Sequence, residues 1–193
     1  TFDGKHLLYL QDTGGDENFH VYRVDAETAQ VVDLTPVPGA RADVYALSER
    51  KPNQVLIGMN ERDKKAFDVY QLDLQNGERS LLVQNDQGFA SFTIDHDLSV
   101  RFARQLAPDG SLALFVRDAA KSWQEYDKVP SDDSLTTELV GFDKRGKHFF
   151  AFDSRDRNTG GLYEVDVKSK KKTLLYEDAR ADVKGVLTHP TER

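Results

Sequence analysis

The string Ala-Arg-Ala-Asp-Val occurs twice, at Ala40–Val44 and again at Ala179–Val183, 139 residues apart. A perfect five-residue recurrence is a sign of internal repetition, and the distance divides into three steps of about 46 residues, within the range of β-propeller blades. The sequence between the copies divides accordingly. Approximate copies span 1–36, 40–86, 88–130 and 136–178, and a further one starts over 180–193. Each complete copy reads as four short strands. In the second these are 41–48, 54–60, 67–74 and 79–84; in the third 88–95, 99–106, 111–118 and 121–129; in the fourth 136–143, 147–154, 161–168 and 172–177. The first copy lacks its opening strand and keeps 6–12, 19–25 and 30–35, while 181–189 reads as the opening strand of a fifth copy.

These runs are filled by Val, Leu, Ile, Phe and Tyr, often alternating with polar residues, the period of a half-buried strand. Turn chemistry separates them at Asp3-Gly4, Asn76-Gly77, Pro108-Asp109-Gly110, Arg145-Gly146 and Gly160-Gly161, where glycine supplies a positive φ without a Cβ clash. No sustained 3.6-residue apolar period occurs. Asp118–Lys128 reads as a hairpin turn and strand rather than a short helix. The expected fold is all-β: a partial β-propeller of about four blades, each a four-stranded antiparallel sheet, in a single segment. A sandwich would leave the recurrence accidental. Two arrangements are open: an arc with free strand edges prone to self-association, or a ring closed by 181–189 pairing with the first copy. The arc is the expectation, with the chain read as an excised segment.

Composition narrows the partners. A formal net charge of −7 disfavours a nucleic-acid surface, which needs a basic stripe to displace counterions. No apolar run approaches the ~18 residues of a membrane span, and the opening TFDGKHLLYL lacks the basic start and apolar core of a signal peptide. Cysteine is absent, which removes disulfides and thiolate chemistry and leaves bacterial cytoplasm or periplasm equally open.

The segments 7–36 (LLYLQDTGGDENFHVYRVDAETAQVVDLTP) and 55–74 (VLIGMNERDKKAFDVYQLDL) resemble the propeller of prolyl oligopeptidase family serine peptidases, in the bacterial dipeptidyl and acylaminoacyl peptidase-like branch. The stretch 139–167 is similar to a TolB-type blade: Asp-x-x-Gly-Lys, an apolar strand, a Ser-Arg turn and a Leu-Tyr-x-x-Asp strand. The resemblance implies a segment that caps the active site of an α/β-hydrolase domain in the parent and restricts it to short peptides, with that domain as its partner. A TolB-type protein-interaction propeller is the alternative it implies. No Gly-x-Ser-x-Gly elbow is present; Gly88-Phe89-Ala90-Ser91-Phe92 places serine one position late and Phe where the last glycine belongs. No catalytic, cofactor-binding or metal-binding residue is therefore expected in this segment.

Individual residues still invite functional readings. Asp16 and Glu17, in the acidic turn after Gly14-Gly15, could meet a substrate amine or a cation, although such a turn ordinarily bonds its own backbone. Their spacing from Asp12 does not match a calcium loop. Arg62 and Arg155 fall between the second and third strands of their copies and are candidates for contact with substrate or a partner domain. Five histidines lack the spacing of zinc ligands; His6 and His148 occupy matching places after Gly-Lys turns, which repetition explains. Tyr22, Tyr70 and Tyr163 each precede an aspartate by three residues, a pattern expected to combine packing with capping of the next turn. Trp123 is expected to pack. The basic run Lys168–Lys172 reads as a solvated hairpin tip.

Overall fold

The computed structural model describes residues 1–189 and contains fifteen β-strands with a single short 3₁₀ turn at Ser131–Asp133. The chain divides into two compact units, Thr1–Phe89 and Ala90–Arg193. Each holds two antiparallel sheets in which consecutive strands are neighbours, the arrangement that short hairpin turns permit.

The first unit opens with a three-stranded sheet of β1 (His6–Gln11), β2 (His20–Asp25) and β3 (Val31–Asp33). Its second sheet comprises β4 (Ala42–Leu47), β5 (Gln54–Asp63), β6 (Ala66–Asp73) and β7 (Arg79–Val83). Apolar residues of both sheets, among them Val21, Leu34, Val55, Ile57, Met59 and Leu72, form one buried cluster. A bulge shifts the register at Tyr45 of β4, between Val44 and Ala46, and its ring lies over Gly58. A Cβ there would sit 2.1 Å from Tyr45 Cζ, so close approach explains the glycine inside this buried strand.

The second unit begins with the sheet β8 (Ser91–Ile94), β9 (Val100–Leu106), β10 (Leu112–Arg117) and β11 (Trp123–Val129). It continues with β12 (Glu138–Phe142), β13 (His148–Asp153), β14 (Gly161–Asp166) and β15 (Lys172–Tyr176). The stretch from Asp118 is thus a turn leading into β11. Phe102 is the centre of the core, with ring centroids 5.0 Å from Tyr126, 5.4 Å from Phe149 and 5.8 Å from Phe142. Edge-to-face and stacked pairs at such distances contribute roughly 0.5–1.5 kcal/mol each beyond area burial.

Repetition extends to irregularities. The outer strand of each four-stranded sheet carries one extra residue at a shift of register, Leu82 in β7, Tyr126 in β11 and Leu175 in β15. A bulge bends and twists its strand, so the recurrence gives the three sheets a shared local distortion.

Two sequence expectations are corrected. Gly160-Gly161 is not a positive-φ turn; Gly161 starts β14, and a Cβ on it would meet Arg157 Nη1 at 2.8 Å. The glycine is marked by the close approach of the Arg157 and Leu174 side chains, not by turn geometry. The strand expected over 181–189 is not formed. Val183 N–H donates to the Gly160 carbonyl at 3.0 Å and the Asp182 carboxylate accepts from Gly160 N–H at 2.8 Å. That side-chain acceptor replaces the second rung a ladder would need. The rest of the fifth copy, 190–193, lies outside the described residues. No helix among the described residues is long and apolar enough to cross a membrane.

Candidate functional site

The candidate residues separate into exposed carboxylates and committed guanidiniums. In the loop between β1 and β2, Asp16 Oδ1 accepts from Asn18 N–H at 3.0 Å and Oδ2 from the Asn18 side-chain amide at 3.1 Å. These bonds hold the Asp16 carboxyl below the usual carboxylate range, with a smaller opposing effect of burial. Glu17 adopts φ +58° and donates its N–H to Asp12 Oδ2 at 3.1 Å. The turn bonds its own backbone and leaves the Glu17 side chain exposed.

Arg62, near the end of β5, spans its hairpin to grip Asp68 of β6 with two bonds of 2.8 Å each. Asp68 is only 1% exposed and also accepts the Asn85 N–H at 2.7 Å. Burial pushes the Asp68 carboxyl up, but the guanidinium and the Asn85 N–H overcome it and leave it lowered. Arg62 also reaches Asp86 at 3.2 Å.

Arg155, just beyond β13, makes the matching arrangement in the second unit. It donates to Asp153 through Nε at 2.9 Å and Nη2 at 2.7 Å, and to Asp127 of β11 at 3.1 Å. Lys172 adds a second cation on Asp153. This cluster ties neighbouring sheets together, because Asp127 and Asp153, both held by Arg155, lie on different ones. Both candidate arginines therefore have carboxylate partners inside the chain. Paired-off fork donors of this kind fix geometry more than they recruit ligands.

The histidine reading is matched in detail. His6 lies 2.6 Å from Asp3 and 3.9 Å from Asp25, and His148 lies 3.5 Å from both Asp143 and Asp166. The first aspartate in each case closes the preceding turn, Asp3 on Lys5 and His6 N–H and Asp143 on Lys147 and His148 N–H. The aspartates that follow Tyr22, Tyr70 and Tyr163 cap the next turn: Asp25 on Glu27 and Thr28, Asp73 on Gln75 and Asn76, Asp166 on Lys168 and Ser169. Tyr70 and Tyr163 pack on the cores of their units, and Tyr22 stacks on Tyr9 at 5.1 Å. Trp123 lies 6.1 Å from the Phe92 ring with Arg117 over its face. In the basic run, Lys170 and Lys172 are not free: Lys170 donates to the Tyr126 carbonyl and sits 4.5 Å from that ring's centre, and Lys172 pairs with Asp153.

One feature escaped the sequence reading. In the second unit, a cavity of about 210 Å³ opens between the sheets β8–β11 and β12–β15, with Leu112, Leu114, Leu139, Phe149 and Val165 among its apolar walls. No motif marks it, since its lining comes from seven strands and from loop residues such as Thr137, Arg155 and Lys170.

Comparison with known proteins now adds to this geometry. No protein-family model matches the chain. Dipeptidyl aminopeptidase BIII of Pseudoxanthomonas mexicana is 45% identical over 184 residues, 95% of this chain and 27% of that protein. Dipeptidyl peptidase family member 6 of Caenorhabditis elegans is 29% identical over 203 residues, 97% of this chain and 27% of that protein. The chain thus spans about a quarter of the length of these relatives. Among solved structures, TolB from Acinetobacter baumannii aligns with a TM-score of 0.58 at 16% identity, over 89% of this chain and 41% of TolB. A prolyl endopeptidase structure aligns with a TM-score of 0.55 at 15% identity, over 90% of this chain and 28% of its own. These structural likenesses identify the four sheets as blades of a partial β-propeller.

Proposed function

We propose that this chain, a partial β-propeller similar to a segment of a dipeptidyl aminopeptidase, belongs to a prolyl oligopeptidase-type peptidase and serves within a longer polypeptide to cap an α/β-hydrolase active site and to admit only short peptides. The observation that carries this reading is the 45% identity to a dipeptidyl aminopeptidase along 95% of the chain. Likeness that extends over 95% of the chain fits retention of a whole blade array.

The physical logic of a cap supports it. A lid that selects by size must be stiffer than the substrates it excludes. The Arg62–Asp68 and Arg155–Asp153–Asp127 clusters stiffen the hairpins between the second and third strands of their blades. In this reading the exposed carboxylates Asp16 and Glu17 are the groups offered to a peptide amine or to a partner domain. Arg62 and Arg155 position their hairpins for such contact rather than reaching out themselves.

The test is size selection by the full-length protein. Dipeptide-releasing turnover should fall steeply as a peptide series lengthens from a few residues to about thirty. Arg155→Ala, which loosens one hairpin, should relax that length dependence while leaving kcat on the shortest substrate nearly unchanged. Equal turnover of short and long peptides by the unaltered protein would sink the gating role.

A further inference from the structure

The clefts between successive sheets are filled unequally. In the first unit the space between β1–β3 and β4–β7 is closed by Val21, Leu34, Ile57, Met59 and Leu72, each at most 4% exposed. In the second unit the cleft between β8–β11 and β12–β15 keeps a cavity of about 210 Å³. An apolar cavity of about 150 Å³ suffices to bind benzene, so this one has room for a six-membered ring with a short substituent.

Its walls are apolar, and its charges are unevenly committed. Asp127 and Asp153 are taken by Arg155 and Lys172, and Lys170 is taken by the Tyr126 carbonyl. Arg104, from the centre of β9, has only its Nε engaged, donating to Ser91 Oγ at 2.8 Å. Its two Nη groups have no partner among the described residues. Glu138 is exposed and has no ion-pair partner among the described residues. The lining holds four cations, Arg104, Arg155, Lys170 and Lys172, against three carboxylates, Asp127, Glu138 and Asp153. It is thus positive by one in a chain whose formal charge is −7. A guanidinium fork with free Nη donors beside apolar walls matches a carboxylate attached to an apolar group, which accepts two parallel N–H bonds.

We propose that this inter-blade cavity binds a small apolar monocarboxylate, with its ring or branched chain among Leu114, Leu139, Phe149 and Val165 and its carboxylate on Arg104. The inference is independent of the gating role and needs no hydrolase domain.

The experiment is a titration of this chain, labelled on its methyl groups, with phenylacetate and with phenylacetamide, followed by NMR. Phenylacetate should bind with a dissociation constant on the order of 1 mM or tighter and shift the methyls of Leu112, Leu114, Leu139, Ala151 and Val165. Phenylacetamide should bind at least about tenfold more weakly, the value of a charge-assisted bond. Arg104→Gln should erase that preference, Arg104→Lys should retain part of it, and Glu138→Gln should leave phenylacetate binding equal or tighter. Ala151→Leu, which puts a larger side chain into the lining, should abolish binding while the methyl signals of the first unit stay in place. Equal affinity for acid and amide, full binding by Arg104→Gln, or shifts confined to methyls outside the cavity would overturn the proposal, as would no binding of phenylacetate at 10 mM.

Discussion

Replacing Asp153 with Asn should cost stability in a way that depends on pH. Asp153 is 5% exposed and is held by Arg155 and Lys172. Burial pushes its carboxyl up, yet the bonds from Arg155 and Lys172 prevail and pull it from 3.8 down to about 2. At about 1.4 kcal/mol per tenfold change in acidity, the ionised form contributes about 2 kcal/mol to folding. The folded value lies below the unfolded one, so this stabilisation is complete well above the usual value of 3.8 and drains away as pH falls toward about 2. Asparagine keeps the shape and one acceptor, but its amide places two donors against guanidinium and ammonium donors. A buried mismatch of that kind adds about 1 kcal/mol. Asp153→Asn should therefore cost about 3 kcal/mol at pH 7, and the gap to the unaltered chain should narrow by about 1 kcal/mol at pH 3. Urea unfolding read by Trp123, the single tryptophan and a member of the same compact unit, measures it directly. A gap that stays constant from pH 7 to pH 3, or a variant as stable as its parent, would refute the reasoning.

Two further substitutions test packing. Gly58→Ala places a methyl 2.1 Å from Tyr45 Cζ and should destabilise the first unit by about 3 kcal/mol; hydrogen exchange of the β5 amides should accelerate, and adding Tyr45→Ala should restore part of the loss. Tyr126→Phe removes a buried hydroxyl that lacks a hydrogen-bond partner among the described residues and should raise stability by about 1 kcal/mol, seen as a higher urea midpoint with an unchanged slope.

The repeat made the architecture legible because each blade carries the same signals at the same places. Gly-Lys turns precede His6 and His148, and aspartates follow Tyr22, Tyr70 and Tyr163; in the structure each of these aspartates caps the turn beside it. Local signals of this kind act within a few residues and can be read one strand at a time. Gly160-Gly161 misleads because a glycine with close side-chain neighbours looks the same in sequence as one at positive φ. The string Ala179–Val183 repeats Ala40–Val44 perfectly, yet only the earlier copy enters a strand: Ala42–Val44 pair with β5, whereas the Asp182 side chain takes the Gly160 N–H that a second rung would need. The partners of Arg62 and Arg155 were hidden for a related reason. Arg62 meets Asp68 only once a hairpin folds, and Arg155 meets Asp127 across 28 residues and two sheets. The cavity beside Arg104 left no trace, because it is defined by what neighbouring sheets fail to fill.

The central claim, a propeller segment working in a serine peptidase, is tested most directly by fluorophosphonate labelling of the full-length protein beside this chain alone. The account predicts a labelled serine in the full-length polypeptide, outside residues 1–193, and no label on the isolated chain. A label on the chain itself, or on neither protein, would contradict it.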